Sequence, residues 1–119
     1  MDNNEKQIEF IKNTLKQAYL ATKKCHDLVF EDGERHIQDF KASIYLSQAV
    51  SLMSSCKSVY YSNFEFLANI QLEDIFFTFD VFVREISNNI STGHSHQWTD
   101  IEFENYKNTL DGFADIILK

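Results

Sequence analysis

Leu72-Glu73-Asp74-Ile75-Phe76-Phe77-Thr78-Phe79-Asp80-Val81-Phe82-Val83-Arg84-Glu85-Ile86 decides the fold. Leu72, Ile75, Phe76, Phe79, Phe82, Val83 and Ile86 recur at i, i+3, i+4 and i+7, the spacing of a helix that presents one face to a core. At about 100° per residue, Phe66, Ile70, Phe77 and Val81 gather on nearly the opposite side. A solvated bundle helix needs one apolar face, and this one carries two. Something must cover the second: another helix of the chain, a second copy, or a partner.

The same period runs outward from this segment. Ile8, Ile11, Leu15, Ala18, Thr22, Cys25 and Val29 keep an unbroken 3-4-3-4 spacing, which predicts a helix over 3–30. Glu31-Asp32-Gly33-Glu34 supplies a turn, and a second helix is predicted over 35–60. Two capping boxes follow. Ser62 with Glu65 is flanked by Tyr61 and Phe66, and Thr99 with Glu102 is flanked by Trp98 and Phe103, each pair at hydrophobic-staple positions. They predict helices over 63–90 and 100–118, with Ser62 and Thr99 as N-caps. Phe103, Tyr106, Leu110, Phe113 and Ile117 give the last helix its own 3-4-3-4 stripe. Ser91 to Gln97 reads as a polar loop.

Composition agrees. The 119 residues make one domain, 1–119, with no proline and only three glycines, a scarcity that favours long helices over strands and turns. The expected fold is an all-α antiparallel four-helix bundle. No run of 18 apolar residues exists, so no membrane span is expected. The acidic, polar start shows no secretory leader, and a cytoplasmic location is expected. Cys25 and Cys56 sit in apolar registers far apart along an antiparallel helix pair, so both read as buried free thiols.

The net charge of −7 is uneven. Residues 1–62 hold eight acids and eight bases, while residues 63–119 hold ten acids and three bases. Nucleic-acid binding wants a basic stripe and finds none. An acidic half suits a partner with a basic protein surface.

Catalytic patterns are missing. No Glu is followed three residues later by His, as a carboxylate-bridged di-iron bundle needs. No arginine has a histidine at ribonuclease spacing, and three scattered glycines cannot build a glycine-rich phosphate loop. His94 and His96 form one pair with metal-like spacing, with Asp100 near enough to complete it. Ser43, Ser47, Ser51, Ser54 and Ser58 line one face of the second helix, where small residues would permit close approach of another helix.

These readings imply a non-enzymatic binding protein with no cofactor, no metal and no catalytic residue. Small bacterial or phage adaptors, export chaperones and immunity or inhibitor proteins share this size and architecture, an analogy of fold alone. Phe66, Ile70, Phe77 and Val81 are the expected partner-binding surface, with Glu73 and Asp74 contributing charge. The partner is a protein, with a homodimer as one form of it, and neither nucleic acid nor membrane. The alternative is a small-ligand or metal-dependent bundle enzyme that uses the His94/His96 loop.

Overall fold

The computed structural model describes residues 3–31, 33–92 and 96–112, and the described residues are all-helical. Five helices follow one another: α1 (Asn3–Phe30), α2 (Arg35–Ser62), α3 (Phe64–Leu67), α4 (Ile70–Thr92) and α5 (His96–Asp111). They pack into a rod of 49 × 24 × 21 Å. The most extensive contacts join α1 to α2 and α4 to α5, and smaller ones join α1 to α5 and α2 to α4.

The α1–α2 turn shows how local chemistry sets direction. Gly33 has φ 152°, a backbone region that side chains with a Cβ avoid. Glu34 then caps α2, its carboxylate accepting from the amides of His36 (3.3 Å) and Ile37 (3.2 Å). The Arg35 guanidinium donates to the Val29 carbonyl at 2.9 Å, satisfying an acceptor at the end of α1. Both helices lie where the periodicity places them, α2 running two residues past the predicted end.

A helix starts at Phe64, one residue from the predicted start, but the span predicted as one helix over 63–90 is two. Ser62 ends α2 instead of capping α3, and Asn63 (φ −127°, ψ 30°) makes no side-chain cap. Its side chain instead bonds back to the end of α2 and across to α1. Nδ2 donates to the Val59 carbonyl at 2.9 Å, and Oδ1 accepts from Gln7 Nε2 at 3.0 Å. After one turn, Ala68 (φ −46°, ψ 121°) leaves the helix. Asn69 starts α4, its Oδ1 accepting from the Leu72 amide at 3.1 Å. The buried Tyr60 hydroxyl pins this break: it accepts from the Asn69 amide (2.9 Å) and donates to Glu73 Oε2 (2.8 Å). A capping box reports only local preference; it anticipates a start near 63 and not the tertiary bond that breaks the helix again before Ile70.

The start predicted at residue 100 is displaced. Helix α5 begins at His96, which puts Thr99 within its first turn, fully buried. Asn89 Nδ2 of α4 donates to Thr99 Oγ1 at 3.2 Å. The hydroxyl that would cap a helix instead satisfies a buried amide, as buried polar groups require. Trp98 is consequently not a staple: it is half-exposed while Phe103 is buried. Within the described residues α5 ends at Asp111, and the predicted continuation over 113–118 lies outside them.

The core is the predicted one for the most part. Leu72, Ile75, Phe76, Phe79, Phe82 and Ile86 of α4 are buried and Val83 is half-buried. On α1, Ile11, Leu15, Ala18, Thr22, Cys25 and Val29 are buried, but Ile8 is exposed because the chain opposite it opens at α3. Aromatic rings knit α5 in. Phe79 meets Tyr106 at 5.5 Å and Phe82 meets Phe103 at 5.7 Å, both edge-on. The Tyr106 hydroxyl is buried beside Thr22, and burial pushes its pKa up. Cys25 and Cys56 are buried and unbonded, their thiols pushed up to about 12 by burial.

Candidate protein-binding surface

Helix α4 turns its core stripe inward and leaves the second stripe outside. Ile70 is 73% exposed and Phe77 65%, and Val81 is half-buried. Phe66, 70% exposed, belongs to α3 rather than to the same helix, because the chain breaks at Ala68 and Asn69. The stripe is therefore divided. Phe66 lines a groove of about 290 Å³ where α1, α3 and α4 meet, with Ile8, Ile11, Leu67 and Leu72. Phe77 and Val81 line another of about 530 Å³ between α4 and α5, completed by Thr78, Glu102, Asn105, Asn108 and Thr109.

The two acids expected beside the stripe have different surroundings. Glu73 is half-buried and accepts from Tyr60, whose own pKa is raised by burial and by that carboxylate. Asp74 is exposed, one turn before Thr78, which donates back to its carbonyl at 3.0 Å. Asp80 is taken by Lys57 at 2.9 Å, an ion pair between α2 and α4. Of the acids on this side, Glu102 meets Phe77 and Val81 across the groove and has Asn105 at 3.4 Å.

Two surfaces escaped sequence reasoning. Trp98 is 52% exposed and sits four residues before Glu102, on the helical face that continues through Asn105 and Thr109. Its spacing from Glu102 was legible, but the staple reading absorbed it. On α2, Ile37, Phe40 and Ile44 are exposed at 3-4 spacing, and Ile44 borders a groove of about 540 Å³ with Lys24, Asp27, Glu31, Lys41 and Tyr45. Ser43, Ser47, Ser51, Ser54 and Ser58 of α2 are all exposed.

His26 is held between two carboxylates, Nδ1 3.0 Å from Asp27 and Nε2 3.0 Å from Asp100, with its ring stacked 4.2 Å from Phe103. This joins α1 to α5 and occupies Asp100, the acid that the metal reading needed. For Asp27, burial raises the pKa, but hydrogen bonds and charge from Lys23 and His26 outweigh it and hold the group below its ordinary value. His94 and the His96 side chain lie outside the described residues. Among the described residues no three His, Cys, Asp or Glu side chains cluster as metal ligands. No helix of the described residues is long and apolar enough to cross a membrane. No protein-family model, curated protein sequence or solved structure matches this chain.

Proposed function

We propose that this chain is a non-enzymatic binding protein of the adaptor, chaperone or inhibitor type, an antiparallel four-helix bundle that holds a protein partner on α4. Side-chain pairings support the arrangement. Gln7 meets Asn63, Lys57 meets Asp80 while Tyr60 meets Glu73, Phe79 meets Tyr106 while Phe82 meets Phe103, and Tyr19 meets Tyr106 while His26 meets Asp100. Within each of the last three helix pairs, residue numbers fall on one helix as they rise on the other.

The observation that carries the binding role is the exposure of Phe66, Ile70 and Phe77 at 70%, 73% and 65%. Burying one such side chain fully gains about 1.5–3 kcal/mol, so three left in water forgo several kcal/mol that a partner recovers. Clustered apolar residues rimmed by polar ones are the usual mark of an interface. The groove beside Phe77 adds the polar rim, with Asn105, Asn108 and Glu102 set to fix orientation. Charge on this side speeds encounter and selects partners more than it adds affinity.

The test places a photo-crosslinking benzoylphenylalanine at position 77 and, as a control, at the exposed Ser58, in cells that make the protein. Adducts of defined mass are expected from position 77 and not from position 58. Phe77→Asp should leave the helical circular dichroism and melting temperature nearly unchanged and abolish the adducts formed from a crosslinker at Ile70. Unfolding by Phe77→Asp, or no adduct from position 77, refutes the binding surface.

A further inference from the structure

We infer that the occupant of the α4–α5 groove is a cationic amphipathic helix, an inference that rests on the binding reading above and adds the chemistry of the partner. Charge selects the occupant. Residues 70–111 carry eight acids and two bases. Lys57 takes Asp80, Tyr60 takes Glu73 and His26 takes Asp100, all toward the rest of the bundle. Asp74, on the same α4 face as Phe77, and Glu102, on the groove wall, form no ion pair among the described residues. A second copy applying the same face would set these acids against their own kind, and like charges across an interface suppress association. A cationic partner meets them with opposite charge.

Geometry selects a helix. The groove runs between two packed helices, with Phe77 and Val81 on one wall and Glu102, Asn105, Asn108 and Thr109 on the other. Side chains of a third helix seat between such walls, and apolar anchors at i, i+3 or i+4 and i+7 are how amphipathic helices dock. From Ile70 to Val81 the α4 face spans about 16 Å at 1.5 Å per residue, which three turns of a partner helix match. A lysine or arginine flanking those anchors then reaches Glu102 on one side and Asp74 on the other. The α1–α2 groove is a poorer match: Lys24 and Lys41 are balanced there by Asp27 and Glu31.

The probe is a fluorescent fourteen-residue Leu/Lys peptide with its leucines at helical i, i+3, i+4, i+7 spacing, read by anisotropy at low and moderate salt. A peptide with every lysine replaced by glutamate is the control. The wild-type protein should bind the lysine peptide, more weakly as salt rises, and ignore the glutamate peptide. Phe77→Asp should weaken binding at least tenfold. The Asp74→Lys/Glu102→Lys double variant should also lose about tenfold for the lysine peptide and gain the glutamate peptide, a reversal that misfolding cannot mimic. If both peptides bind the wild type alike, or the double variant keeps its preference, the groove does not select charge and this inference fails while the binding reading stands. Lysine-peptide binding indifferent to Phe77→Asp overturns the inference as well. So does an absence of peptide binding in a protein that sediments as an oligomer dissociated by Phe77→Asp, since the occupant is then a second copy and the α4 surface remains the interface. No peptide binding together with no crosslink at position 77 overturns both.

Discussion

Tyr60→Phe tests whether one hydroxyl holds the break between α3 and α4. The oxygen accepts the Asn69 amide at 2.9 Å and donates to Glu73 Oε2 at 2.8 Å, while the ring packs edge-on against Phe76 at 5.5 Å. Phenylalanine keeps the ring and deletes both bonds. A neutral hydrogen bond contributes about 1 kcal/mol and one to a carboxylate about 1.5–3. Half-buried Glu73 recovers part of its share from water, so a loss of about 2 kcal/mol is expected. At about 2.1 cal/mol/K of unfolding entropy per residue, a chain of this length loses about 4 °C of melting temperature per kcal/mol, giving about 8 °C here. Urea unfolding followed by circular dichroism measures the free energy, with Tyr61→Phe, at a 55% exposed site, as a control expected within about 0.5 kcal/mol of wild type. A double-mutant cycle of Tyr60→Phe with Glu73→Gln should show coupling of about 1 kcal/mol or more. A Tyr60→Phe loss below about 0.5 kcal/mol, equal to the Tyr61 control, refutes the role given to this hydroxyl.

Other outcomes follow from burial. Thr99→Val should cost about 1 kcal/mol by removing the bond from Asn89, and Thr99→Asp should cost more, because it places a carboxylate at a fully buried site. An N-cap would tolerate aspartate, so a stable Thr99→Asp protein in a urea melt would restore the capping reading. With both thiols pushed up to about 12, about one in ten thousand is thiolate at pH 8, and iodoacetamide should leave the native protein unlabelled. Two alkylations per chain should appear by mass spectrometry only after denaturation; rapid native labelling would show that the thiols are not buried.

Sequence by itself determined the helical character of the chain, α1 and the start of α2, the turn at Gly33, and most of the residues of α1, α4 and α5 that face inward. Those follow from 3.6-residue periodicity and the scarcity of chain breakers, which act over a few residues and need no knowledge of what lies opposite. It also separated the outward Phe77 from the inward Phe76 and Phe79, since neighbouring helical positions diverge by about 100°. Tertiary structure alone decided the rest. A helix does start beside Ser62, at Phe64, yet Tyr60 holds a second break that restarts the chain at Ile70, and Asn89 draws Thr99 into the core. Each competing bond joins residues nine or ten apart in sequence across two helices. The same holds for the candidate site. Exposure of Phe77 depends on whether another element covers it, and Glu102 joins it only because α4 and α5 pack side by side. A local pattern states what a side chain prefers, but burial and pairing are properties of what the fold sets across from it.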